Sequence, residues 1–157
     1  MVNAVFAGSF DPPTFGHLDI IERVSSVFDS IHVIVAINRE KRSLFDHPKR
    51  VDLLTECTAH LQNVRVLAWE GLVVDYALKN SCSILIRGVR NLMDFSAEYD
   101  MAMLNGQLAP DLETFLLCAD PRYAALSSTA VKEFAHYGRD ISALVPAPVL
   151  EAIAKKI

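Results

Sequence analysis

Cysteine is scarce in this chain: Cys57, Cys82 and Cys118 are its only three in 157 residues, an odd number with no C-x-x-C pair. That argues against a disulfide framework and against a zinc site, and makes buried, reduced thiols in a cytosolic protein the expected state. Long apolar runs are missing too, since none approaches the roughly 18 to 20 residues of a membrane span. No basic segment or cleavage site precedes the first apolar stretch. The expectation is a cytoplasmic protein with no membrane partner. Basic charge is not in excess, with 15 Lys and Arg against 19 Asp and Glu, a net charge of −4. That speaks against wholesale nucleic-acid binding and leaves room for a local basic pocket. Two phosphate-binding signatures, G-x-G-x-x-G and a loop ending in G-K-[ST], do not occur. Repeats, linkers and low-complexity segments are absent as well.

Hydrophobic residues make up 52% and charged residues 22% of the chain, the composition of a compact globule. Its length suits a single domain, 1–157, with a sizeable core. The apolar period alternates along it. Residues 2–7 read as a strand, 16–28 as an amphipathic helix and 32–37 as a β-branched strand. Asp46 and Pro48 open a second helix running to about residue 60. Residues 64–68 form a third strand, 72–79 a short helix and 83–86 a fourth strand. A long helix over 93–108 stops before Pro110, 113–118 is a fifth strand, and two helices begin near Ser127 and Val149. Alternation of this kind, with nearly continuous apolar strands, predicts an α/β fold: a single Rossmann-like domain, a five-stranded parallel sheet with helices on both faces. Ligands of such sheets bind beyond the carboxyl ends of the strands, and each glycine- or charge-rich stretch considered below follows a strand.

The first of these is Ala7-Gly8-Ser9-Phe10-Asp11-Pro12-Pro13-Thr14-Phe15-Gly16-His17. Gly8 lets the backbone turn or approach a ligand, and the two prolines stiffen the loop. Gly16 and His17 fall in the first turn of the helix, where unpaired N–H groups and the helix dipole favour an anion. Ser9 and Thr14 add hydroxyls. Taken alone, a plain strand-to-helix turn with Thr14 as N-cap and His17 on the surface is the commoner meaning of such a pattern. The stretch Ile84-Leu85-Ile86-Arg87-Gly88-Val89-Arg90 puts two arginines around a glycine just past the fourth strand. Guanidinium groups fork onto phosphate oxygens, but a pair of solvated loop arginines has the same sequence. Asp94 and Glu98 follow one helical turn apart, able to orient the arginines, contact a ribose or cover a helix surface. Ser127, Ser128 and Thr129 open a helix; one hydroxyl is an ordinary N-cap, and three suit an anion.

G-S-F-D-P-x-T-x-G-H resembles the signature of nucleotidyltransferases of the T/H-x-G-H type. Together with I-R-G-V-R, D-F-x-x-E, L-S-S-T-x-V-K-E, residues 38–45 with Lys41, and Gly71-Leu72-Val73-Val74-Asp75, the ordered set resembles the phosphopantetheine adenylyltransferase family. The resemblance covers residues 4–148. It implies transfer of AMP from ATP to 4′-phosphopantetheine, with release of pyrophosphate and formation of dephospho-coenzyme A. It implies ATP contacts at Ser9, Phe10, His17, Gly88, Val89, Arg90, Glu98, Tyr123, Ser127, Ser128 and Thr129. The acceptor would be held by Ser9, Lys41, Val73 and Arg87, and catalysis would fall to His17, Lys41 and Arg90. Mg2+ would come with the nucleotide, no dedicated protein metal site is expected, and a homohexamer is implied. Ser96-Ala97, Gly106, Thr129 and Ser9 depart from the more usual family residues. A cytidylyltransferase, a nicotinate-mononucleotide adenylyltransferase or a non-catalytic nucleotide-binding regulatory module are the alternatives.

Overall fold

A computed structural model describes residues 1–157 apart from Arg39 and Lys41. Five strands, β1 (Asn3–Gly8), β2 (Ser30–Ala36), β3 (Val64–Trp69), β4 (Ile84–Val89) and β5 (Glu113–Cys118), form one parallel sheet in the order β3-β2-β1-β4-β5. Six helices connect or follow them: α1 (Phe15–Ser25), α2 (His47–Cys57), α3 (Val73–Lys79), α4 (Leu92–Leu108), α5 (Ser128–His136) and α6 (Ala147–Ala154). A 3-10 turn, Pro121–Tyr123, precedes α5.

Side-chain alternation along the central strands sets the layers. Ala4 and Phe6 of β1, with Ile31, Val33 and Val35 of β2, pack against Leu18, Ile21 and Val24 of α1 and Leu54 of α2. Val5, Ala7, Ile34 and Leu85 point to the other face and meet Val74, Tyr76 and Ala77 of α3. Helices therefore cover both faces, as the apolar strands require. A third cluster, with Phe45, Leu53, Val131, Ile141, Val145 and Val149, fastens α5 and α6 onto α2. Caps sit where the sequence places them: Asp46 accepts from the Lys49 N–H at 3.0 Å, and Pro48 occupies the first turn of α2.

Three boundaries differ from the sequence reading. Helix α1 ends at Ser25, which leaves Phe28 to pack its ring on Phe115 of β5. Helix α2 stops at Cys57 rather than near residue 60. Strand β4 runs on to Val89, so Arg87 and Gly88 lie within the strand instead of past it. Pairing explains the last case: Arg87, Gly88 and Val89 keep register with Leu116, Leu117 and Cys118 of β5. On its other side β4 pairs with β1 only from Ala4 to Phe6. The two central strands separate beyond that point. All three cysteines are free, and Cys118 is exposed at the end of β5, contrary to the expectation of burial; the Cys57 thiol is pushed up to about 11 by burial.

Gly8 has a reason in packing as well as in ligand access. A Cβ there would lie 3.2 Å from the Phe10 ring, which is itself almost fully buried against Phe6. Gly106, inside α4, would meet nothing within 4 Å. Gly8→Ala should therefore destabilise the fold by about 1–3 kcal/mol through overpacking. Gly106→Ala should stabilise it by about 0.5–1 kcal/mol through helix propensity. Thermal unfolding of the two variants should move the midpoint in opposite directions.

Candidate active site

The separation of β1 from β4 opens a cavity of about 360 Å³ at the carboxyl edge of the sheet. The order β3-β2-β1-β4-β5 reverses between these strands, which is where ligands enter open α/β sheets. Ser9, Phe10, His17, Arg87, Gly88, Arg90, Glu98, Tyr123, Ser127 and Ser128 all line it. Val89, Val73 and Thr129 do not. The Val89 side chain is buried, Val73 packs at the start of α3 against the second core cluster, and Thr129 is exposed. Lys41 lies outside the described residues.

His17 has two local duties. Thr14 caps α1 by accepting from the His17 N–H, and His17 Nδ1 accepts in turn from the Thr14 N–H at 3.1 Å. This is a capping box with histidine in the usual place of Glu or Gln. Because Nδ1 accepts, the hydrogen of the neutral ring sits on Nε2. The ring also packs edge-on against Phe10 at 4.9 Å. The bland reading of Thr14 as an N-cap holds, but His17 is half-buried in the cavity wall, not a surface residue. Phe10 has φ of 47°, a left-handed backbone unusual for a bulky residue, and its side chain is buried, so it can offer a ligand only main-chain groups.

Arg87 is a half-buried strand residue, whereas Arg90 is an exposed loop residue, and both are engaged by carboxylates. Arg87 makes a two-pronged pair with Glu98, both contacts at 2.6 Å, and donates Nη1–H to the Ala7 carbonyl at 2.9 Å. Arg90 pairs with Asp94 at 2.8 Å and donates to the Leu126 carbonyl at 3.0 Å. Hydrogen bonding from Arg90 holds the Asp94 carboxyl below its ordinary value. Asp94 and Glu98 orient the arginines, one of the readings open for them. The hydroxyl run is divided differently from a row of three anion donors. Ser127 caps α5 by accepting from the Ala130 N–H at 3.1 Å, and Ser128 donates to the Pro12 carbonyl at 2.7 Å.

Comparison with known proteins identifies the family. A family model described as cytidylyltransferase-like matches residues 5–134. A phosphopantetheine adenylyltransferase of Treponema pallidum (strain Nichols) is 46% identical over 155 residues, covering 99% of this chain and 98% of its own. One from Herpetosiphon aurantiacus is 46% identical over 153 residues, covering 98% and 93%, and one from Clostridium botulinum (strain Eklund 17B) is 41% identical over 153 residues, covering 98% and 96%. The chain belongs to the phosphopantetheine adenylyltransferase family. Its fold is shared with the crystal structure of a Vibrio parahaemolyticus protein described as a nicotinate-nucleotide adenylyltransferase, with a TM-score of 0.72 at 21% identity, covering 99% of this chain and 93% of that one.

Near the site of this family member, Asp11, Lys132 and Arg50 carry roles that the sequence reading did not assign. Asp11 is buried and accepts from the Leu44 and Phe45 N–H groups at 2.8 and 2.9 Å, with Lys132 Nζ at 3.3 Å. Arg50 is buried and donates to the Ser9 carbonyl at 2.7 Å. A signal for Arg50 exists in the sequence, because it precedes Leu53 and Leu54 by three and four residues on the core-facing stripe of α2.

Burial, and then the positive charge of Arg90, lowers the His17 pKa to about 4. The imidazole is thus neutral near pH 7 and carries its hydrogen on Nε2. The linkage has a definite sign. With its folded pKa below the unfolded value of about 6.5, His17 contributes stability that is complete above pH 6.5 and is lost as pH falls toward 4. His17→Gln keeps a side-chain acceptor for the capping box and removes the titration. Urea unfolding between pH 7 and 4 should show a shallower loss of stability for His17→Gln than for the wild type.

Proposed function

We propose that the protein transfers AMP from ATP to the phosphate of 4′-phosphopantetheine, producing dephospho-coenzyme A and pyrophosphate. One observation carries this most directly: a neutral histidine donor, two helix N-termini and two arginines converge on a single crevice in a chain whose relatives bear the name of that activity. An oxygen of the acceptor phosphate attacks the α-phosphorus of ATP. The bond from that phosphorus to the bridging oxygen breaks, and its electron pair leaves with pyrophosphate. The nucleophile is already ionised, so no strong general base is required, and positioning with charge stabilisation does the rest. His17 Nε2–H and the α1 N-terminus serve the α-phosphate. Arg90 and the start of α5 at residues 127–129 serve the departing end. Arg87 and Lys41 hold the acceptor phosphate. Glu98 acts through Arg87.

Mg2+ belongs to the nucleotide in this reading. Among the described residues no group of three or more His, Cys, Asp or Glu is placed to hold a metal, and Asp94 and Glu98 are engaged by arginines. That donor set suits an ion carried by phosphates and water, which would neutralise charge as it develops. Assembly into a homohexamer is supported by α4, which has no buried residue and exposes Leu92, Met93, Met101, Met103, Leu104 and Leu108. A lone protomer leaves such a face uncovered. No described helix is long and apolar enough to cross a membrane, and the proposed site of action is the cytoplasm.

Pyrophosphate release should be rapid with ATP plus 4′-phosphopantetheine and slight with CTP or with nicotinate mononucleotide as acceptor. Equal turnover with CTP would transfer the assignment to a cytidylyltransferase, and nucleotide binding with no turnover on any pair would support a regulatory module. Lys41→Ala should cut turnover strongly while ATP affinity, measured by calorimetry, changes less than about tenfold. His17→Ala should cost about 10² to 10³ in kcat, roughly 2.7 to 4 kcal/mol, as loss of one preorganised donor does. Light scattering at micromolar concentration should return an oligomer of six chains.

A further inference from the structure

The backbone of residues 8–14 is held from outside the cavity by side chains that do not line it. Arg50, rising from α2, donates Nη1–H to the Ser9 carbonyl at 2.7 Å and Nε–H to the Asp46 carbonyl at 3.4 Å. Only 6% of the residue is exposed, and no described carboxylate pairs with it. Two residues on, the Asp11 carboxylate is fixed by the Leu44 and Phe45 N–H groups and by Lys132 of α5. Between these anchors stands Phe10 with its positive φ. A left-handed bulky residue persists only where its surroundings over-determine it, and such strain gathers at functional sites. The anchored turn ends at Thr14, whose N–H fixes His17 Nδ1, while the Phe10 ring packs on the imidazole.

We propose that Arg50 and the Asp11–Lys132 pair are positioning residues for adenylyl transfer: they clamp the backbone on either side of Phe10 and, through Phe10 and Thr14, hold the imidazole of His17 in its reacting orientation. This rests on the reading of His17 as the donor at the α-phosphate. Neither Arg50 nor Lys132 lines the cavity. Burial of an uncompensated guanidinium is expensive unless each of its hydrogen bonds counts, and here they are spent on a loop carbonyl and a helix-cap carbonyl. Lys132 gives the cleaner test, because its side chain is about one-third exposed and its loss should leave the core intact.

The experiment compares wild type with Lys132→Met, Lys132→Arg and Arg50→Lys. It measures steady-state kinetics with ATP and 4′-phosphopantetheine, thermal unfolding, and the imidazole 15N resonances of His17. Lys132→Met should lower kcat by about tenfold to a hundredfold, as small misplacements of a catalytic group do. KM for each substrate should stay within about threefold and the melting temperature within a few degrees. Lys132→Arg should restore most of kcat. In Lys132→Met and Arg50→Lys the 15N pattern should shift from one Nε2–H tautomer toward a mixture. A kcat within twofold of wild type in Lys132→Met overturns the proposal, as does a loss of kcat with the His17 resonances unmoved. If the wild type transfers no adenylyl group at all, the functional reading fails, and the resonances alone still decide whether the anchors position His17.

Discussion

The site exists because β1 and β4 stop pairing after Phe6 and Ile86. Strand order reverses at this point, so the connections out of β1 and β4 depart to opposite faces and none covers the gap. An unpaired strand edge in the middle of a sheet exposes main-chain polar groups that need partners. The Ala7 carbonyl finds one in Arg87, a side chain of the departing strand itself. The same arginine that repairs the broken ladder therefore stands at the mouth of the crevice. Fold and site share one set of atoms.

A reaction that needs no base asks chiefly for rigidity, and the chain supplies it in the turn after β1. Arg50, Leu44, Phe45 and Lys132 from outside the cavity, and Ser128 from its wall, hold the Ser9 carbonyl, the Pro12 carbonyl and the Asp11 carboxylate. These partners come from α2, α5 and the segment before α2, so the turn is fastened to three separate pieces of structure. The third hydrophobic cluster joins α2 to α5 and α6, which links those fastenings to one another. Histidine 17 completes the arrangement by acting as both helix cap and cavity wall, with burial keeping it uncharged.

Much of this was legible in the sequence. The alternation of apolar periods gave the five strands, their parallel arrangement and both helical layers, because continuous β-branched runs are required of strands covered on two faces. The ordered motifs found ten of the cavity residues. What pattern reading missed depends on long-range pairing. Arg87-Gly88 looks like a turn, and only the partner strand β5 keeps it extended. Three adjacent hydroxyls look alike in sequence, yet Ser127 is spent on its own helix and Ser128 on a proline carbonyl 116 residues earlier in the chain. The glycine at position 8 read as room for a ligand, whereas the nearest obstacle is the ring of Phe10. The anchoring roles of Asp11 and Arg50 are not visible locally, because Asp11 meets Leu44 and Arg50 meets Ser9 across more than 30 residues.

The two Arg–carboxylate pairs raise a question of energetics: a crevice meant for polyphosphate has its arginines already neutralised. Both pairs are partly exposed, with Arg87 and Arg90 at 31% and 37% side-chain accessibility. Pairs in that setting are worth only about 0–1 kcal/mol, so giving up a carboxylate to a phosphate costs little. The benefit lies in order. An arginine side chain loses up to about 2 kcal/mol of rotamer freedom when it is fixed. Glu98, held on both nitrogens of Arg87 at 2.6 Å, and Asp94, on Arg90, impose that loss during folding. The guanidinium planes are then set before any phosphate arrives. A ligand with two or more negative charges can engage their remaining N–H groups without displacing the carboxylates, since each guanidinium carries five donors in a fixed fork. Placed one turn apart on α4, Asp94 and Glu98 are thus spaced to brace arginines three residues apart at the end of β4, which accounts for a D-F-x-x-E sequence that follows R-G-V-R after three intervening residues.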